Sequence, residues 1–148
     1  MKLREVMTTE FCCASPSDSL SKIAAEMKRH NVGAMPVCEN GRLMGIITDR
    51  DIVVECVASG TDPNTCQVGR FMTTSLVQGH PDMDVGEAAK LMGREQVHRL
   101  PVVENGKLVG IVSIGDIAVN CRDDKIVADM VREISLPVRS TRPQAVAA

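Results

Sequence analysis

The sequence predicts an α/β fold of two β-α-β-β-α units packed about a pseudo-twofold axis. The first observation is an internal repeat, since residues 32–52 (VGAMPVCENGRLMGIITDRDI) recur without a gap as residues 97–117 (VHRLPVVENGKLVGIVSIGDI), 65 positions later. A shared offset over most of a chain indicates duplication of one structural unit. The second observation is an Asn-Gly pair between apolar runs in each copy, Asn40-Gly41 and Asn105-Gly106. This pair predicts a hairpin, because both turn residues must accept positive φ.

The other elements follow from periodicity. The apolar runs around each Asn-Gly pair predict antiparallel strands at 35–38, 43–47, 100–103 and 108–112. Two further short strands are predicted at 11–14 and 75–77. A helix is predicted from the spacing of Leu20, Ile23, Ala24 and Met27, and its counterpart from Val85, Ala88, Ala89 and Met92. Further helices are expected at 50–59, 115–120 and 125–134.

These elements divide the chain into four parts. Repeat 1 is expected at 1–60, a linker at 61–70, repeat 2 at 71–121, and a C-terminal helix and tail at 122–148. The tail after Pro137 contains Arg139, Arg142 and Pro143, and is expected to fray.

Composition excludes several classes of protein. The chain has 148 residues and a formal charge of -2, so it lacks the basic surface that nucleic acids need. Phe11 and Phe71 are its only aromatic residues apart from histidine, which argues against stacking platforms for bases. No apolar run is long enough to span a membrane, and the N-terminus does not resemble a signal peptide. We expect a cytoplasmic protein with no nucleic-acid or membrane partner, in which the six cysteines are buried small residues or redox-responsive thiols.

A hydroxyl and a carboxylate follow each hairpin, Thr48 with Asp51 and Ser113 with Asp116. At a strand-to-helix junction, the carboxylate can accept hydrogen bonds from ribose hydroxyls, while the hydroxyl and helix amides donate to a phosphate. The alternative is helix capping, which favours the same residue types. The two roles are compatible.

These residues carry a family resemblance. The Pro-Val segment, the Asn-Gly hairpin, the Gly-h-h-[Ser/Thr]-x-x-Asp motif (h, apolar) and the tandem duplication resemble the CBS domain, and the pair resembles the CBS-pair (Bateman) module. The run DRDIVVECVASGTDPNT is similar to stand-alone CBS-pair proteins of the hypoxic response protein type. The resemblance covers residues 1–121 and implies a sensor of adenosine nucleotides (AMP, ADP or ATP) that forms dimers through helices. It assigns the ribose and phosphate roles to Thr48, Asp51, Ser113 and Asp116.

The two repeats differ beside this motif. His98-Arg99 in the second copy occupies the place of Gly33-Ala34 in the first. The HRLPV run resembles phosphate-contacting segments of the γ subunit of AMP-activated protein kinase, and arginine offers a planar fork to phosphate oxygens. A solvated pair at a strand edge is the alternative. Arg50, matched by Gly115, is either a second phosphate donor or a surface charge.

The ligand is expected in the cleft between the repeats, with its base against aliphatic side chains. The candidates flank the motif on adjoining strands: Val6, Met35, Ile47, Leu100 and Val112.

Cys13 and Cys38 would share one small sheet in a CBS unit, so they form a possible disulfide, with two buried thiols as the alternative. No metal site is predicted, because His30, His80 and His98 are not at ligand spacing from a cysteine. No catalytic residue is predicted either, since no nucleophile motif accompanies Asp49 and Asp51. The expected protein is therefore not an enzyme and requires no cofactor.

Two functions follow. The first is a regulatory module that binds an adenosine nucleotide and signals through a homodimer to an unknown effector protein. The second is a redox-responsive or structural dimer with vestigial nucleotide clefts. A homodimer is expected because two apolar faces exceed what a small unit buries. These faces consist of Leu20 and Met27 on one helix and Ile52, Val53, Cys56 and Val57 on another.

Overall fold

The computed structural model describes residues 1–137. Two compact units are present. The first-repeat unit is Cys12–Leu76. The second-repeat unit combines Met1–Phe11 with the chain from Val77 onward, as far as it is described. The predicted C-terminal tail lies outside the described residues.

The first-repeat unit is built around one hairpin. Its strands are β1 (Ala34–Glu39) and β2 (Arg42–Thr48), which pair antiparallel. The helices of this unit, numbered in chain order over the whole protein, are α2 (Leu20–His30), α3 (Asp49–Asp51, continued by a π-helix at Ile52–Val57) and α4 (Val68–Phe71).

The second-repeat unit has the same plan with additions at both ends. Its strands β3 (Arg99–Glu104) and β4 (Lys107–Ser113) also pair antiparallel. Its helices are α1 (Leu3–Val6), α5 (Val85–Glu95), α6 (Ile114–Asn120) and α7 (Asp124–Ser135). The mixed α/β class with two repeats is therefore confirmed.

Both Asn-Gly hairpins form as predicted. Asn40 and Gly41 have φ of 52° and 78°, and Asn105 and Gly106 have φ of 53° and 78°. Asparagine and glycine tolerate this region best, which explains why the same dipeptide closes both turns.

The two predicted strands that precede the helices are wrong. Residues 11–14 contribute one bridge, from Ala14 to Val37, and the second copy forms one from Gly79 to Val102. Each bridge has two hydrogen bonds, such as Ala14 N to Pro36 O at 2.8 Å and Cys38 N to Ala14 O at 2.8 Å. A single bridge has no side-chain alternation, so periodicity cannot locate it. In the second copy the bridging residue, Gly79, also lies outside the strand predicted at 75–77.

The N-terminal segment of each repeat pairs with the hairpin of the other repeat. Thr73 exchanges backbone hydrogen bonds with Ile46 at 2.9 and 3.0 Å, and Thr8 does the same with Ile111. The approach is so close that a Cβ on Gly45 would lie 2.7 Å from the carbonyl oxygen of Thr73. The glycine of the Gly-h-h motif is therefore required by this contact.

The helix predicted at 50–59 is π-helical in its second half. Ala58 N donates to Val53 O at 2.9 Å, a step of five residues, and Gly60 follows with φ of 74°. Wide turns of this kind are often found at functional sites.

Each unit has its own apolar core. The core of the first-repeat unit is a cluster of buried side chains: Ala14, Leu20, Ile23, Met27, Met35, Val37, Ile47, Ile52, Cys56 and Val68. Leu20, Met27, Ile52 and Cys56 are thus not available for a dimer interface, contrary to the prediction. Among residues 1–137, no helix has the length and apolar character needed to cross a membrane.

Candidate ligand site

The hydroxyl and carboxylate of the first repeat form a reciprocal cap at the start of α3. The amide of Thr48 donates to Asp51 Oδ2 at 3.0 Å, and the amide of Asp51 donates to Thr48 Oγ1 at 3.1 Å. Strand β2 ends at Thr48, so the strand and the cap together fix the carboxylate.

The second repeat has the same arrangement at the start of α6. Ser113 N donates to Asp116 Oδ2 at 2.8 Å, Ser113 Oγ donates to the same oxygen at 3.0 Å, and Asp116 N donates to Ser113 Oγ at 3.1 Å. The capping role is therefore realised in both repeats. In each aspartate Oδ1 makes no hydrogen bond to any of residues 1–137, so it remains able to accept one from a ligand.

Asp51 faces a cavity of about 490 Å³ within the first-repeat unit. Its side chain is partly buried, and this burial raises the pKa of Asp51, while the hydrogen bonds from Thr48 act in the opposite direction. The cavity is lined by Asp51, Glu55, Ser59, Thr61, Arg70, Phe71, Met72, Thr73, Thr74 and Ser75. It combines a carboxylate, a guanidinium, several hydroxyls and an aromatic ring.

Arg70 is the cationic group of this cavity. Within residues 1–137 its guanidinium makes no hydrogen bond or ion pair, so its donors are available to an anion. The backbone of α4 places it there, because Val68 at the start of the helix is fully buried in the core.

In the second-repeat unit, His98 lies just before β3. Its carbonyl oxygen accepts a hydrogen bond from Ile114 N at 3.0 Å. The ring atom Nδ1 is buried and has no hydrogen-bond partner among the described residues. Such atoms are rare in proteins, and a bound ligand would satisfy this one. Arg99 follows as the first residue of β3 and is partly buried.

The matching position in the first repeat is a glycine with little space beside it. Gly33 O accepts from Asp49 N at 2.9 Å, and a Cβ at Gly33 would lie 3.0 Å from Asp49 Oδ2. The two repeats therefore present different groups beside the same motif.

Both repeats of the sequence match a known family. The family model described as CBS domain matches residues 3–57 and 68–122. This chain belongs to the CBS domain family. Its two CBS domains make it a CBS-pair protein, with helix α7 following the second domain.

Relatives that align over most of their length support the CBS assignment. The chain is 42% identical over 133 residues to the CBS domain-containing protein YhcV of Bacillus subtilis, covering 90% of this chain and 94% of that protein. It is 35% identical over 136 residues to hypoxic response protein 1 of Mycobacterium tuberculosis, covering 91% and 94%.

A solved CBS-pair structure is also similar. It is a crystal structure of hypoxic response protein I with two coordinated zinc ions. The TM-score is 0.75 at 35% identity, with 81% of this chain and 98% of that chain covered.

The other predicted ligand residues of the CBS pair are less accessible. Thr48 is 1% exposed, and Met35, Ile47, Leu100 and Val112 are buried in the cores. Val6 is partly buried, and Arg50 is exposed but is not among the residues that line the Asp51 cavity. Their roles at a ligand stay predictions.

Sequence reasoning missed Arg70, Phe71 and Thr73 as cavity residues. The repeated Met-Thr-Thr tripeptide, at 7–9 and 72–74, was a usable signal. Arg70 offered none, because its counterpart 65 positions earlier is Glu5.

Cys13 and Cys38 are side by side as thiols. Both are free cysteines in this structure, and each thiol influences the pKa of the other. Burial raises the pKa of the Cys13 thiol, although the residue as a whole is exposed. Burial, and to a smaller extent the neighbouring Cys13 thiol, raise the pKa of Cys38 to about 12. Within residues 1–137 no group of three or more potential ligands (His, Cys, Asp or Glu) could hold a metal ion.

Proposed function

We propose that this chain is a regulatory module that binds an adenosine nucleotide and transmits its occupancy through a homodimer to an effector protein. The observation that carries the proposal is the cavity beside Asp51. Its volume of about 490 Å³ falls within the usual range for small-molecule sites. Its lining offers a group for each part of a nucleotide.

The ribose is assigned to Asp51. Oδ2 is held by the amide of Thr48, so the carboxylate is already oriented and Oδ1 accepts from a ribose hydroxyl. Ordering this side chain before binding lowers the entropic cost of the contact.

The phosphate is assigned to Arg70 and the base to Phe71 and Met72. The guanidinium of Arg70 is unpaired within residues 1–137, and Thr73 and Thr74 also line the cavity. Phe71 supplies an aromatic face for the base, although the low aromatic content of the sequence argued against such a contact.

A second nucleotide position is proposed at Asp116, with Ser113, His98 and Arg99 as its polar groups. The unpartnered Nδ1 of His98 and the available Oδ1 of Asp116 support it. Because Arg99 is absent from the first repeat, this position should discriminate more strongly for phosphorylated adenosine.

The homodimer interface is proposed to include the apolar residues of the π-helix that remain exposed. Val53 and Val57 are 58% and 56% exposed, and Val54 is also exposed. Three exposed valines on one short helix are a surface that association would cover.

The test is a thermal-shift screen with AMP, ADP and ATP, repeated on Arg70→Gln. A ligand at 100 times its dissociation constant adds about 2.7 kcal/mol to the unfolding free energy, which gives a clear shift. Arg70→Gln should reduce the shift for AMP, whereas Arg42→Gln, beside the hairpin turn and outside the cavity, should not. No shift with any of the three nucleotides would refute the proposal.

The second candidate is a redox-responsive dimer, and the proximity of the free thiols of Cys13 and Cys38 favours it. Under this alternative, the thermal stability depends on oxidant and not on nucleotide. Peptide mapping of an oxidised sample should then find these two residues joined. A zinc role, suggested by the metal ions in the similar solved structure, lacks a ligand cluster among residues 1–137.

A further inference from the structure

Cys12 and His30 form a thiol–imidazole pair on the surface of the first-repeat unit. Cys12 Sγ lies 3.2 Å from His30 Nε2, within hydrogen-bond distance for sulfur, and Cys12 is exposed. A thiol in this position can pass its proton to the imidazole, and only the resulting thiolate is a nucleophile. Exposure gives a reagent access to the sulfur.

His30 lies beside the end of a helix and a carboxylate. It is the last residue of α2, an 11-residue helix whose C-terminal end attracts positive charge. Glu26 lies one turn earlier, and its Oε2 is 3.3 Å from His30 Nε2. The carboxylate of Glu26 and the carbonyl end of α2 therefore both lie close to the His30 ring.

Arg29 completes the group. Its Nη2 donates to Glu26 Oε2 at 2.7 Å and lies 3.3 Å from His30 Nε2. The hydrogen bond from Arg29 lowers the pKa of Glu26, which keeps that carboxylate ionised near neutral pH. The positive charge of Arg29 is paired with the carboxylate of Glu26.

The neighbouring thiols have the opposite character. Cys13 and Cys38 are neighbouring free thiols, and burial raises the pKa of each. They stay protonated at neutral pH and make poor nucleophiles. Reaction at this face of the unit should therefore begin at Cys12.

We propose that Cys12 is a modification site that undergoes thiol–disulfide exchange with a low-molecular-weight disulfide, with His30 as the proton acceptor. The thiol proton moves to His30 Nε2, and Sγ attacks one sulfur of the disulfide. The S–S bond breaks, a mixed disulfide forms on Cys12, and the other half leaves as a thiolate with the bonding electron pair. That thiolate takes up a proton, so Cys12 is oxidised and one half of the reagent is reduced to a thiol.

The test uses the full chain, reduced and treated with a chelator so that no metal protects a thiol. The probe is glutathione disulfide, and peptide mapping by mass spectrometry follows each cysteine over time. The first adduct should appear on Cys12, ahead of Cys121. At pH 7, His30→Gln should slow it about tenfold, because an unassisted thiol is only a few per cent ionised there. His80→Gln, an exposed histidine in the other unit, is the matched control and should leave the rate unchanged.

The pH dependence separates proton acceptance from a structural effect. The titratable and charged groups facing the pair are Glu26, Arg29 and Cys13. At pH 10 a cysteine thiol in general needs no neighbouring base to ionise, so wild type and His30→Gln should react at similar rates. A His30→Gln rate equal to wild type at pH 7, an equal deficit at pH 10, or a first adduct on another cysteine would each overturn the proposal.

Discussion

At Asp51 a single carboxylate caps a helix and faces a cavity. The motif made this residue predictable, because a carboxylate three residues after a hydroxyl is typical of a reciprocal cap. Its second role depends on Arg70 and Phe71, which lie in and beside the segment predicted to be a linker. Nothing in the local pattern relates them to Asp51, so tertiary packing alone brings them together.

The raised pKa of Asp51 predicts a pH dependence of stability. Since the folded-state pKa lies above the unfolded one, the contribution of Asp51 is fully present below the unfolded value and is lost as pH rises through the folded value. Asp51→Asn removes the charge but keeps an oxygen for the Thr48 amide. Its urea midpoint relative to wild type should therefore increase from acidic to neutral pH. If the urea midpoints of the two proteins differed by the same amount at every pH, this prediction would be contradicted.

At the scale of elements, hairpins and caps were predictable because each is encoded within a few residues. The short bridges at Ala14 and Gly79 were not, because one residue in contact leaves no periodicity. The π-helical turn after Asp51 also escaped prediction, since its apolar spacing is compatible with an α-helix.

The contact between β2 and the segment around Thr73 predicts a strong effect at Gly45. A Cβ there would lie 2.7 Å from Thr73 O and 2.8 Å from Met72 Sδ, so the strand or the segment must move. Gly45→Ala should lower the unfolding free energy by about 1–3 kcal/mol, the usual cost of overpacking. Urea denaturation measures it.

Gly115→Ala is the control for Gly45→Ala. Gly115 lies within α6, and the nearest atom to its added Cβ is 3.5 Å away. Alanine in a helix should be neutral or stabilising by up to about 1 kcal/mol. If both variants lose the same stability, the close contact at Gly45 is not the cause.

On the scale of the whole molecule, the sequence shows the duplication. It does not show the exchange of segments, in which the N-terminal segment of each repeat pairs with the hairpin of the other repeat. The offset of 65 is the same whether the Met-Thr-Thr segment joins its own hairpin or the other one. In the structure Thr73 belongs to the compact unit Cys12–Leu76, and Thr8 to the other unit. The boundary at residue 60 therefore remains a prediction about where the sequence repeat ends. The compact units of the structure change instead after Phe11 and after Leu76.

This exchange predicts which fragment folds. A fragment of residues 12–76 retains the buried Val68 and the Phe71 and Met72 side chains packed on its core, whereas a fragment of residues 1–60 lacks them. The first should show cooperative thermal unfolding by circular dichroism, and the second should not. A fragment 1–60 at least as stable as 12–76 would show that the exchanged segment contributes little.

The most direct test of nucleotide binding at Asp51 is calorimetric titration of AMP into wild type, Asp51→Asn and Asp49→Asn. Asp49 is also at the start of α3 but is not among the residues lining the Asp51 cavity, so it controls for the loss of one negative charge there. Losing the ribose contact should weaken binding by about 1.5–3 kcal/mol, or roughly 10- to 150-fold. The account predicts this loss for Asp51→Asn and near wild-type affinity for Asp49→Asn. Equal affinity in all three proteins would contradict it.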